Sequence, residues 1–141
     1  AVFFLNNELV KYTIRLKGVD SPEIRPPSKD KYRKYQILAA KQSRNRLIQL
    51  CTDCEIQIDS ELSKNKIQNM INNNKKIIKI KCEEFDTYGR LLANLYIDDD
   101  DINSINYKLI DEGFAYEYDG GTKKKFDYSK YINEDNKEEN Q

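Results

Sequence analysis

The 141-residue chain contains no histidine. That absence removes the commonest general base, the Ser-His-Asp triad and most zinc sites together. Hydrolytic chemistry in such a chain must run on carboxylates, arginines or a hard metal ion. Cysteine is nearly absent too. Cys51 and Cys54 form a C-x-x-C and Cys82 is the third, so a four-cysteine zinc site cannot be assembled and the thiols read as structural. An odd cysteine count without a disulfide framework weakly favours a reducing compartment. No run approaches the roughly 18 apolar residues of a membrane-spanning helix. Membrane partners are therefore not expected.

The formal net charge is also zero, which argues against a simple basic nucleic-acid binder until the charges are mapped. Residues 1–97 hold 18 Lys and Arg against 11 Asp and Glu, whereas residues 98–141 hold 6 against 13. The zero conceals a basic body and an acidic tail. Residues 25–46 concentrate Arg25, Lys29, Lys31, Arg33, Lys34, Lys41, Arg44 and Arg46 against the single acid Asp30. Such a helix face is either ordinary solvated surface or a cradle for a polyanion, each neutralised phosphate then steepening the salt dependence.

The length suits one domain. "AVFFL" and "LVKYTIRLKGV" are β-rich runs joined by a turn at Asn6, Asn7 and Glu8. After Pro26-Pro27, residues 30 to 51 carry Ile37, Ala40, Leu47 and Cys51 at helical spacing. "CEIQI", "KKIIKIKCEEF" and "LLANLYI" read as strands, and residues 60–74 as an Asn- and Lys-rich insertion with a short helix presenting Ile67, Met70 and Ile71. The aspartate run 98–101 reads as a solvated turn whose last member caps a helix over "INSINYKLIDEG", with Gly113 as its stop. "TKKKFDYSKY" suggests another short helix, and "INEDNKEENQ" lacks the apolar groups needed to fold. The Gly120-Gly121 pair is not a P-loop, because no G-K-[ST] follows. The order of elements predicts a mainly β protein with α-helices (α+β), built as a small Greek-key barrel with two or three helices at its ends.

Two stretches carry chemistry: "RLKGVDSPE", Arg15 to Glu23, and "DTYGRLLANLY", Asp86 to Tyr96. The segment "INYKLIDEGFA" follows them. In the first, an apolar strand contains Arg15 and exits into Asp20, Ser21 and Glu23 around Pro22. Pro22 disfavours helical geometry at Ser21, holding a bend that can turn Glu23 back toward Arg15. Taken singly, Arg15 with Glu23 is an ordinary ion pair and "DTYGR" an ordinary hairpin turn.

Taken together and in this order, these motifs resemble the staphylococcal nuclease family, over roughly residues 1–118. The resemblance implies a five-stranded OB-fold barrel, with residues 119–141 as a C-terminal extension, acidic and largely disordered at its end. It implies Arg15 and Arg90 as the catalytic arginines, Glu23 as the catalytic glutamate, Asp20 as a calcium-binding aspartate and Ser21 as the donor of a backbone carbonyl to calcium. Tyr88 matches a tyrosine beside the bound nucleotide, and Tyr116 and Tyr118 lie near further nucleotide-contacting tyrosines. The implied activity is calcium-dependent hydrolysis of DNA and RNA with little sequence preference, by a monomer, leaving 3′-phosphate ends.

The chemistry agrees with the residue types. A phosphodiester attacked by water gathers negative charge on its equatorial oxygens, so the site needs fixed positive charge at phosphorus and a base at the water. Arginine stays protonated and can give two hydrogen bonds to one phosphate. Calcium accepts irregular oxygen ligation from carboxylates and carbonyls.

One departure stands out. The family has a second calcium-binding aspartate in the turn between its first two strands, and here no acid precedes Glu8. "AVFFL" matches the family's second strand, so a first strand is expected upstream of Ala1, and without it one barrel edge is unpaired. A non-catalytic OB-fold module binding nucleic acid or protein is the alternative reading. An adaptor working through the acidic tail and the 60–74 insertion is a third.

Overall fold

The computed structural model describes residues 1–97 and 102–141. The expected turn at 98–101 lies outside the described residues. Strands β1 (Val2–Leu5) and β2 (Glu8–Lys11) form an antiparallel hairpin with Leu5 opposite Glu8. Its two-residue turn holds Asn6 at φ 48° and Asn7 at φ 64°. Asparagine tolerates that left-handed backbone, and two such residues match the twist of the flanking strands.

The long strand predicted over residues 9–19 is divided into β2, β3 (Ile14–Leu16) and β4 (Val19–Asp20) because the chain changes partners twice. At Tyr12–Thr13 it leaves β1: the Tyr12 amide still donates to Ala1, while the Thr13 carbonyl already accepts from Leu91. At Gly18, with φ 71°, it turns from one sheet into the next. β3 then pairs in parallel with β6 (Leu91–Tyr96), which pairs antiparallel with β5 (Lys79–Phe85). β4 pairs antiparallel with β7 (Tyr116–Glu117), bringing Asp20 opposite Tyr116. The architecture is mixed α+β. The described strands form three small sheets and no closed barrel.

Helices α1 (Arg33–Cys51), α2 (Lys64–Asn73), α3 (Ile105–Asp111) and α4 (Ser129–Glu139) complete the chain. The core joins Val19, Leu50, Ile105, Leu109 and Ala115 beneath Leu16, Leu47, Leu95 and Phe114. Ser104 caps α3, its hydroxyl accepting from the Tyr107 amide. Gly113 ends that helix segment at φ 80°.

Asn106 is almost fully buried, accepts from the Leu95 amide and donates to the carbonyls of Lys17 and Ala93. It thereby locks α3 to the seam where β3 leaves β6. Left unpaired, those backbone groups would each cost about 1–3 kcal/mol.

Two expectations are corrected. "CEIQI" is not a strand, because side chains of α1 take carbonyls in it and just after it: Gln49 donates to Ile56, and Asn45 to Ile58 and Ser60. The segment "INEDNKEENQ", expected to lack structure, lies mostly in α4, which starts at Ser129 rather than within the lysine run. Tyr131 anchors that helix, buried with its hydroxyl donating to Gln42 of α1, and Lys34 bonds Asp135 at 2.6 Å. One buried aromatic and opposite charges supply what the composition alone does not.

Candidate active site

Arg15 sits in β3, opposite Leu92 of β6. Arg90 directly precedes β6, two residues before Leu92. Strand geometry at that offset places both arginines on one face, with Cα atoms about 8 Å apart. They line a common cavity of about 590 Å3 with Asp20, Ser21, Glu23 and Lys123. A broader cleft of about 1240 Å3, reaching Tyr88 and Tyr118, shares Arg15, Asp20, Arg90 and Lys123 with it.

Each arginine is braced locally. The Arg15 Nη1 donates to the Val19 carbonyl at 2.9 Å, and Nη2 stands 3.9 Å from Asp20 Oδ1. Arg15 therefore closes the β3–β4 bend against its own strand exit. Arg90 donates from Nε to Asp86 Oδ2 at 2.7 Å. The other Asp86 oxygen accepts from the Tyr88 and Arg90 amides, so one carboxylate shapes the turn and aims the guanidinium. Gly89 completes that turn at φ 74°. Desolvation pushes the Asp86 carboxyl up, but the hydrogen bonds from Arg90 and Tyr88 outweigh it and hold its pKa below the ordinary value.

A tyrosine accompanies each guanidinium. Arg15 lies 5.7 Å from the ring centre of Tyr118, and Arg90 lies 5.4 Å from that of Tyr88. Tyr88 is 84% exposed. Tyr116 donates from its hydroxyl to Asp20 Oδ2 at 3.3 Å.

Asp20 is the hub. Its Oδ1 accepts from the Ser21 amide, and its Oδ2 lies 3.0 Å from the Lys123 ammonium. Burial pushes this carboxyl up. The hydrogen bonds from Lys123 and Ser21, with the charges of Lys123 and Arg15, outweigh burial and leave its pKa below the ordinary 3.8. Glu23 is more open, its side chain 60% exposed, and meets Lys123 at 3.4 Å. Pro22 between them is buried and fixes the bend.

The sites suggested by sequence thus gather at one cleft: Arg15, Asp20, Ser21, Glu23 and Arg90 around the inner cavity, Tyr88 and Tyr118 around the outer one, and Tyr116 on Asp20. Two participants were missed. Asp86 had a readable signal, the Asp-x-x-Gly pattern of a tight turn. Lys123 had none, being one of three consecutive lysines. The cysteines stand apart as free thiols, and burial pushes Cys51 up to about 11, far from a reactive thiolate.

The oxygens of Asp20 and Ser21 are of the hard kind calcium takes, but they are few for its usual six to eight ligands. Among the described residues no group of three or more His, Cys, Asp or Glu is arranged to hold a metal ion. Lys123 already contacts both Asp20 and Glu23.

Fold and cleft together define a small α+β domain whose charged side chains converge from three separate stretches of chain. The family model described as staphylococcal nuclease homologue matches residues 13–140, and the chain belongs to that family. The match includes α4, well past residue 118. No curated protein and no solved structure matches the chain significantly.

Proposed function

We propose that this protein is a calcium-dependent endonuclease hydrolysing phosphodiester bonds of DNA and RNA with little sequence preference. The observation that carries this reading is the sharing of one cavity by Arg15 and Arg90 with Asp20 and Glu23. Two guanidiniums on one face, about 8 Å apart at Cα, suit the opposite sides of a single phosphate. Arg15 and Arg90 hold the non-bridging oxygens and offset the charge that grows on them. Glu23, exposed at the cavity mouth, orients and deprotonates the attacking water. Asp20 and the Ser21 carbonyl would be the residues to hold a calcium ion, which would supply additional fixed positive charge there. Tyr88 and Tyr118 offer faces on which a nucleotide can stack, and Tyr116 steadies Asp20. The reading assigns the protein a nucleic-acid substrate, a monomeric state and 3′-phosphate products, and retains the OB-type barrel as the framework of the family.

The test is cleavage of single-stranded DNA with calcium and with chelator. Turnover that needs calcium and disappears in Glu23→Gln supports the proposal; equal turnover in Glu23→Gln removes the role of that residue. The second reading, a non-catalytic nucleic-acid or protein-binding module, is favoured by the ammonium lodged between the two carboxylates. It predicts binding of the same oligonucleotide with no cleavage under any divalent ion.

A further inference from the structure

Lys123 is not a stray surface lysine. Its ammonium lies 3.0 Å from Asp20 Oδ2 and 3.4 Å from Glu23 Oε1, although both acids are about a hundred residues away in sequence. A strap delivers it there. On one side the strap is fixed by the β4–β7 pairing and by the Tyr118 amide donating to the Gly18 carbonyl. On the other, Phe126 packs on Tyr116 at 6.2 Å and on Tyr128 at 5.1 Å. Between these anchors Gly120, at φ 96°, and the Gly121 amide, bonded to Asp119, turn the chain over the cleft. Lys123 is half exposed, so its head can leave toward solvent without disturbing either anchor.

We propose that Lys123 is the resident cation of the Asp20–Glu23 pair and competes with a divalent metal ion for it. The inference rests on reading Asp20 as the metal-holding carboxylate. An ammonium 3.0 Å from this oxygen repels a calcium ion that would sit at about 2.3–2.6 Å from it. The lysine also neutralises the carboxylates that would otherwise draw the ion in. Tethered on a short strap, it acts at an effective concentration on the order of millimolar, so dilute calcium must displace a competitor that never diffuses away. Two partly shielded ion pairs correspond to roughly a factor of ten in an equilibrium constant.

The experiment is calorimetric titration of calcium chloride into the wild-type chain and into the Lys123→Met and Lys123→Gln variants, with folding of each verified by circular dichroism. The two neutral variants are expected to bind calcium about tenfold more tightly, Lys123→Arg to stay near wild type, and Lys125→Met, on the strap but away from the acids, to change nothing. Adding Asp20→Asn to Lys123→Met should erase the gain. Unchanged or weaker affinity in both neutral variants overturns the proposal. So does a gain that survives Asp20→Asn, or the absence of detectable calcium binding in every protein. Because the titration reads the ion alone, a protein that binds calcium in this pattern and cuts no DNA refutes the nuclease reading and leaves this one standing.

Discussion

The cations of the cleft and those of α1 look alike in the sequence and are used in opposite ways. On α1, Lys34 bonds Asp135 at 2.6 Å, Lys41 bonds Glu61 at 2.6 Å, and Arg46 grips Glu112 through Nε and Nη2. Each of these cations has its own acid, and the acidic tail is one source of them. In the cleft, Arg15 and Arg90 are braced by neighbours yet converge on open space. The difference teaches that a basic stretch reports charge, while only geometry reports whether that charge remains available. A polyanion meeting this protein finds Arg15 and Arg90 directed together at one cleft, whereas Lys34, Lys41 and Arg46 are each turned to an acid elsewhere on the fold.

The largest effects expected are in the cleft. Replacing Arg90 or Arg15 by alanine should lower phosphodiester cleavage by about a hundred- to a thousandfold, measured as initial rates on single-stranded DNA with folding verified by circular dichroism. The same assay on Lys34→Ala, Lys41→Ala and Arg46→Ala should stay within about twofold of wild type. A loss on α1 as large as that in the cleft would erase the contrast.

Next in size is the anchor of the acidic helix. Tyr131→Ala removes a buried ring and should cost about 3 kcal/mol, seen as a lower denaturant midpoint and fast amide exchange across Ser129–Glu139. Retained protection there would show that the ion pairs alone hold α4. The helix ion pairs come lower still. Each alanine replacement should lower the denaturant midpoint only slightly, and less in high salt, by chemical denaturation at two salt concentrations.

The smallest effect lies in acid. Because the carboxyl of Asp20 sits below its ordinary 3.8 in the fold, its ionised form stabilises the protein above that value. That contribution fades as pH falls from there through the lowered folded value. Asp20→Asn should therefore flatten the acid limb of melting temperature against pH, and an unchanged slope below about pH 4 would contradict the role of Asp20 as charge hub.

Much of this was legible in the sequence because it depends on local rules. The hairpin at Asn6–Asn7, the helix ending at Cys51, the short helix within 60–74 and the stop at Gly113 all follow from turn chemistry and periodicity. The clustering of Arg15, Asp20, Ser21, Glu23 and Arg90 was implied by the family resemblance that two motifs in order carry. What was hidden depends on tertiary partners. The carbonyls of Ile56, Ile58 and Ser60 are taken by Gln49 and Asn45 from α1, so an alternating apolar pattern there makes no strand. Asn106 stood in plain view within "INYKL", yet only the meeting of β3, β6 and α3 reveals its three bonds. Lys123 depends on a strap whose path no pattern in "DGGTKKK" discloses.

The central claim is that Arg15 and Arg90 act on one phosphate, and a double-mutant cycle on DNA cleavage tests it most directly. If they share a phosphate, Arg15→Lys with Arg90→Lys should lower the rate by clearly less than the product of the two single losses. Losses that multiply in full, or single variants that cut as fast as wild type, would contradict the account.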